Sequence, residues 1–311
     1  MGTGNHTTVM EFILLGLTSQ QNLQVPLFAL LLTFYMTSLI GNILIIWISL
    51  VSTRLHTPMY FFLRNLSFLD IWYTSSIIPN MLRNLLSLDK SISFNACATQ
   101  MFIPLSLGGT ECYLLLSMAY DRYAAICSPL HYTTTMHPIL CIRLATGSWL
   151  GGIINSAIHT CFALWLPYCG PNVINNFLCE VPSVLELACA DASVNKIVIF
   201  VCAIFVVMGP FVLIIVTYCY IISSIIKIST SEGQRKAFST CASHIIVVSL
   251  FYGTIIFMYM RPGAIYVSNQ DKIATLFYTV VTPMLNPLIY TLRNKDVKGA
   301  MTDIIRKMSI T

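Results

Sequence analysis

The chain has 311 residues, of which 56% are hydrophobic and only 9% charged, with a formal net charge of +5. A water-soluble domain carries about 25% charged residues, so the composition excludes a soluble particle of this size and implies a membrane protein. The basic residues lie scattered at the ends of apolar runs, which also excludes a nucleic-acid interface built on one basic patch.

The chain opens with a polar segment that carries one N-glycosylation acceptor, Asn5-His6-Thr7. Its apolar stretch 12–17 is shorter than the ~7–15 residues of a signal-peptide core and lacks a basic lead. His6 stands where a myristoylation signal wants Ser or Thr. The first spanning helix is therefore expected to act as the signal-anchor. A spanning helix needs ~20 mostly apolar residues, and seven such runs follow, at about 25–51, 58–80, 97–120, 141–162, 197–226, 237–260 and 273–292. Asp70 makes the second the weakest. None alternates strictly between polar and apolar, so the spans are helices, not strands. In residues 293–308, Val297, Met301, Ile304, Ile305 and Met308 share one helical face, opposite Lys295, Asp296, Asp303, Arg306 and Lys307. That pattern suits a short amphipathic helix on the inner leaflet, with a disordered tail as the alternative. The expected fold class is an all-α membrane protein, a seven-transmembrane helix bundle with a short eighth helix. Its parts are an outer N-terminus (1–24), the bundle (25–292) and a cytoplasmic helix and tail (293–311).

Basic residues near span ends favour the cytoplasm. With the N-terminus outside, the inner side holds Arg54, Arg64, Arg122, Arg143, Lys227, Arg235, Lys236, Arg293, Lys295, Lys298, Arg306 and Lys307, and the outer side Arg83, Lys90, Lys196, Arg261 and Lys272. Twelve against five, together all 17 basic residues, decides for N-terminus out. A sequon at Asn5 agrees with that. Of the 11 cysteines, Cys112, Cys127, Cys141, Cys161, Cys202, Cys219 and Cys241 lie in or beside spans and behave as small apolar residues. Cys97, Cys169, Cys179 and Cys189 lie outside, where two disulfides are expected; spacing leaves all three pairings open.

Charged and polar residues inside spans are costly and usually functional. Asp121-Arg122 ends the third span within the strip 118–132, MAYDRYAAICSPLHY. Asp70 and Glu111 sit mid-span, and a carboxylate at that depth is neutralised or bound to something. Either they share a cation, sodium above all, or they form a neutral pair hydrogen-bonded to Asn42 or Asn286. Two close carboxylates resist joint ionisation without a cation. Pro287 bends the seventh span and offers a hinge above Tyr290.

Four runs together carry a family resemblance: LHTPMYFFL (55–63), the strip at 118–132, KAFSTCASH (236–244) and PMLNPLIYTLRNKDVKGA (283–300), with Gly41-Asn42 in the first span. They resemble the vertebrate odorant receptors, the tetrapod-type branch of the rhodopsin-like G-protein-coupled receptors, over nearly the whole chain. Ala124 and Ser128 depart from the family strip, which carries valine and histidine there. The resemblance implies disulfides Cys97–Cys179 and Cys169–Cys189 in the second outer loop. It implies a switch and G-protein contact through Asp121, Arg122, Tyr123, Tyr218, Lys236, His244, Asn286, Pro287 and Tyr290, with Arg235, Lys236 and His244 forming a basic, partner-facing surface. It also supports a sodium site at Asp70 and Glu111; no other cofactor is expected.

The resemblance places the ligand in the outer half of the bundle. Candidates are Met101, Pro104, Leu105, Gly108, Gly109 and Cys112 on the third span and Ser156 and His159 on the fourth. The fifth adds Cys202, Phe205 and Val206, the sixth Tyr252, Ile255, Ile256 and Tyr259, and the seventh Leu276 and Thr279. Pro104 stands where amine receptors carry an aspartate, which disfavours amines. Gly108 and Gly109 either leave room for ligand or let another helix approach. The expected function is odorant-activated signalling: small, mostly apolar volatiles bind, and a stimulatory olfactory-type heterotrimeric G protein raises cyclic AMP at the plasma membrane. Nothing in the chain supplies an enzyme's G-x-S-x-G or H-E-x-x-H motif. A transporter would show repeats and broken helices. A receptor of the same fold that senses a metabolite in another tissue is the alternative.

Overall fold

The computed structural model describes residues 9–18, 20–169, 171–259, 269–292 and 295–308. The sequon at Asn5, the basic residues Arg261 and Arg293, and the side chains of Tyr259, Lys295, Asp296, Ile304, Ile305, Lys307 and Met308 lie outside what is described.

Seven long helices form the bundle. They are α1 (Gln21–Val51), α2 (Pro58–Leu86), α3 (Phe94–Cys127), α4 (Pro138–Leu164), α5 (Ser193–Ile226), α6 (Ser231–Tyr259) and α7, built of Asn269–Leu276, a π-turn Phe277–Val281 and Thr282–Leu292. A further helix, α8 (Lys295–Met308), follows. By length and composition α1, α3, α5, α6 and α7 can each cross a membrane. Polar groups account for the weaker apolar character of α2, which carries Arg64, Asp70, Asn80, Arg83 and Asn84. Most helices overrun the apolar runs that announced them, because loss of apolar character marks a membrane boundary, not the end of a helix. Ser93 starts α3 by accepting the Ala96 N–H at 3.3 Å. Just before α5, Asp191 Oδ1 accepts from the Ser193 hydroxyl and from the Ser193 N–H, the latter at 2.9 Å. These hydrogen bonds hold the Asp191 carboxyl below the ordinary aspartate range.

Helix α3 is the axis of the bundle and packs against α2, α4, α5 and α6. Its contact with α4 is tight because Gly152 lies on the α3 backbone: a Cβ there would strike Thr110 Oγ1 and the Ser106 carbonyl. Gly41 lets α1 meet α7 in the same way, since a Cβ would lie 2.9 Å from Pro287 Cγ. Trp149 Nε1 donates to Asn65 Oδ1 at 3.2 Å and ties α4 to α2. The outward faces of α5, such as Val212, Leu213 and Ile215, are exposed and apolar, as lipid contact requires.

One end of the bundle carries a small sheet that hydrophobic periodicity does not announce. Strand β1 (Glu11–Leu14) lies between β2 (Ser91–Ser93), which runs antiparallel, and β3 (Val173–Ile174), which runs parallel. Phe12 and Leu14 alternate inward into a second apolar cluster with Ile92, Met101, Tyr168, Val184 and Leu185. The segment continues at Gly16, whose φ of +78° glycine tolerates without strain. Asn84 Nδ2 donates to the Leu14 carbonyl and Lys272 Nζ to Asn175 Oδ1, at 3.3 and 2.8 Å. Disulfides Cys97–Cys179 and Cys169–Cys189 staple the loop between α4 and α5 onto this end, as the resemblance implied. Tyr168 in that loop donates to the Ala163 carbonyl at 2.7 Å, and burial pushes its hydroxyl up to about 12.

At the opposite end α8 lies along the turn after α1. Val297 and Ala300 are buried there, and Asp303 pairs with Arg54 at 3.0 Å.

Candidate ligand cavity and switch

A cavity of about 150 Å³ opens between α3, α4, α5, α6 and α7, with Tyr73 of α2 at its edge, under the stapled loop. Met101, Pro104, Leu105, Gly108, Gly109 and Cys112 line it from α3, where positions three or four apart recur on one face. His159, Cys202, Val206, Ile255, Ile256 and Thr279 line it from the other helices. The two glycines on α3 divide the alternatives between them. A Cβ on Gly108 would meet nothing within 4 Å, so this position leaves room in the cavity. A Cβ on Gly109 would lie 3.2 Å from the Gly152 Cα, so this one serves helix approach.

Several expected lining residues sit elsewhere. Phe205 is 70% exposed and points away from the bundle. The cause is a π-turn at Ile204–Met208, whose extra residue shifts the phase of α5 and turns Val207 and Met208 inward instead. Ser156 is spent inside the fold, its Oγ donating to the Phe102 carbonyl at 2.6 Å. Leu276 packs against the core, not the cavity. Tyr252 is fully buried one layer below: its hydroxyl donates to the Cys112 carbonyl at 3.4 Å and its ring lies 4.8 Å from that of Phe211. The cavity floor above it is Phe251 and Cys112.

Other lining residues were missed. Leu178 to Pro182 hang into the cavity from the loop, because the Cys97–Cys179 bond pins them there. The Cys179 N–H donates to Gln100 Oε1 at 3.1 Å, and Tyr278 donates to Glu180 Oε1 at 2.9 Å. The disulfide pairing was the available signal for this segment. Asn155, one turn before His159 on α4, was also missed although its i, i+4 spacing places it on the same face.

Below the cavity, Asp70, Glu111 and Asn286 are buried together. Asn286 Nδ2 donates to both Asp70 oxygens at 3.1 and 3.3 Å and also interacts with Glu111. Asn42 turns away, bonding the Ser38 and Pro283 carbonyls. Glu111 Oε1 and Asn286 Oδ1 have no hydrogen-bond partner among the described residues. Two carboxyls and an amide oxygen are donor types that a small hard cation takes, and the bonds from Asn286 to Asp70 are equally those of the neutral pair.

At the end opposite the cavity, Asp121 Oδ2 lies 3.8 Å from Arg122 Nε while Oδ1 accepts from the Tyr132 hydroxyl at 2.7 Å. Tyr123 stacks on Tyr120 and meets Tyr220 edge-on. His244 requires a correction. It is not part of the basic surface around Arg235 and Lys236 but is fully buried, hydrogen-bonded to Tyr218 Oη at 2.7 Å and to the Leu115 carbonyl at 3.0 Å. Its position on α6 faces the core, so it links α6, α5 and α3. Tyr290 is buried nearby, and its hydroxyl has no partner among the described residues.

A seven-helix membrane bundle with a loop-covered cavity at one end and an Asp-Arg pair at the other is the arrangement of a G-protein-coupled receptor. The sequence comparisons specify which kind. The family model described as olfactory receptor matches residues 31–308. Human olfactory receptor 2G3 is 50% identical over 98% of this chain and 99% of its own length. Mouse olfactory receptor 2C1 is 50% identical over 99% and 98%, and the dog olfactory receptor-like protein OLF3 over the same shares. The chain belongs to the olfactory receptor family, whose members are multi-pass membrane receptors and not enzymes.

Proposed function

We propose that the chain is an odorant-activated receptor for small, mostly apolar volatile molecules and that it turns on a stimulatory, olfactory-type heterotrimeric G protein, raising cyclic AMP. The cavity carries this reading. It is about 150 Å³, apolar over most of its lining, and bordered by six helices and a stapled loop. An apolar space of roughly this volume holds a benzene-sized molecule, so a peptide or a whole lipid does not fit. Burial of so little surface yields modest affinity after association costs, which suits a receptor tuned to concentrations near micromolar.

In this reading the disulfide-bearing end faces outward at the plasma membrane and Arg122, Lys236 and α8 face the cytoplasm, as the bias of basic residues supports. Asn5 accepts a glycan on the outer side. Asp70 and Glu111 hold a sodium ion, with the unpartnered Glu111 Oε1 and Asn286 Oδ1 in support. Ligand binding is relayed through Tyr252 beneath the floor, Pro287 supplies the hinge in α7, and Arg122 leaves Asp121 as the inner end of α6 moves out. The G protein then meets Arg122, Tyr123 and the loops around them.

A cyclic-AMP assay against an odorant panel, in cells with verified surface expression, tests this directly. Activation by small volatiles is the expected result. Silence across the panel with receptor at the surface sinks the ligand assignment.

A further inference from the structure

The cavity is apolar except for a few groups, and most of those already have partners. Gln100 Oε1 accepts from the Cys179 N–H, Thr279 Oγ1 donates to the Thr275 carbonyl at 2.6 Å, and Glu180 accepts from Tyr278. Two groups on α4 differ. Asn155 is 7% exposed and lines the cavity, yet its Oδ1 has no hydrogen-bond partner among the described residues. His159 is 6% exposed, lines the cavity one turn further along, and makes no hydrogen bond among the described residues. A buried acceptor left without a donor is unfavourable and rarely persists without a reason. Glycine shapes the α3 side of this region: Gly108 leaves open space in the cavity, while Gly109 lets α3 come close to Gly152 beside the Asn155 amide.

We infer that the cavity selects a hydroxyl-bearing ligand, an alcohol or a phenol, whose O–H is read by Asn155 and His159. This deepens the odorant reading above and rests on it. The amide oxygen can only accept, so the ligand must bring a donor. A neutral imidazole carries one N–H and one acceptor nitrogen, so a ligand atom that both donates and accepts suits His159 in either form. A hydroxyl does both at one atom, donating to Asn155 Oδ1 and accepting from His159. Residues at i and i+4 are neighbours on a helix face, which lets a single oxygen sit between them. A ketone, ester or ether of the same shape accepts from His159 but leaves Asn155 Oδ1 bare. Sites built to bond a hydroxyl discriminate strongly against analogues that lack it, because their own buried polar groups are then stranded. The rest of the ligand is read only by shape.

The test uses the full-length receptor at the cell surface, a cyclic-AMP readout, and matched sets of volatile alcohols and phenols with the corresponding ketones and methyl ethers. Alcohols or phenols are expected to be at least about tenfold more potent than their matched partners. Asn155→Leu is expected to remove that ratio by weakening the hydroxyl compounds while leaving the ether responses. If Asn155→Leu does not reach the surface, Asn155→Ala, which removes the same oxygen without adding bulk, carries the same comparison. Equal or better potency of ketones or ethers on the natural chain overturns the hydroxyl assignment and leaves the odorant reading standing, as does a ratio that survives the substitution. No response to any compound overturns both.

Discussion

Tyr132 donates its hydroxyl hydrogen to Asp121 Oδ1 at 2.7 Å, so the carboxylate beside Arg122 is held from the loop that follows its own helix. The Asp-Arg contact alone, at 3.8 Å, is loose; the tyrosine is the shorter bond. Tyr132→Phe removes it without changing ring volume. A hydrogen bond to a charged group contributes ~1.5–3 kcal/mol; if only ~1 kcal/mol of that distinguishes the resting from the active state, a minor active population changes roughly fivefold. Basal cyclic AMP is therefore expected to rise about fivefold in Tyr132→Phe at matched surface expression. Unchanged basal signalling would show that the carboxylate is held by Arg122 alone.

Gly152 and Gly108 face different surroundings and should fail differently. Gly152→Val places atoms on Thr110 and Ser106 and should abolish surface expression, because neither backbone can retreat. Gly108→Val adds volume to open space. That variant should reach the surface and lose agonist potency. Surface labelling and dose-response curves together separate the two outcomes.

Loss of the Cys97–Cys179 bond frees the segment that forms the roof of the cavity. Removing a native disulfide costs about 2–5 kcal/mol in small disulfide-bonded domains. Cys179→Ser is expected to lose most agonist response even where protein reaches the surface. Cys169→Ser opens a smaller loop at a less buried site and should retain more. Equal loss in both would mean that the roof is held by its other contacts.

The proposed sodium ion at Asp70 and Glu111 would make signalling depend on external sodium. Replacing sodium by a large organic cation should shift agonist potency in the natural chain. Asp70→Asn and Glu111→Gln should each abolish that shift. A shift that persists in both variants assigns the sodium effect elsewhere.

The spans were readable because the bilayer demands about 20 apolar residues from each, and no tertiary contact is needed to see that. The disulfides and the buried Asp70, Glu111 and Asn286 cluster were readable through motif resemblance plus depth in the spans. Phe205 was misplaced because a helical wheel assumes 3.6 residues per turn, and one π-turn in α5 breaks that assumption downstream. His244 looked cationic by composition among its neighbours, yet the face it occupies is set by α6 packing on Tyr218 and Leu115. Strands β1, β2 and β3 are short and come from three distant segments, so no local period announces them. Asn155 gave no signal beyond its spacing from His159; only the orphaned oxygen singles it out.

The order of synthesis gives β1 a particular place in assembly. It is made first, but its partners at 91–93 and 173–174 are translated far later. Until the second partner arrives, Phe12 and Leu14 have no completed apolar pocket to enter. The three-stranded cap is therefore a late check that the N-terminal segment and the second and fourth connections of the chain have all reached the same face. A tag placed before residue 9 should be tolerated, whereas a deletion through Leu14 would leave Ile92, Phe94 and Ile174 uncovered and give the cell's quality control a patch to recognise.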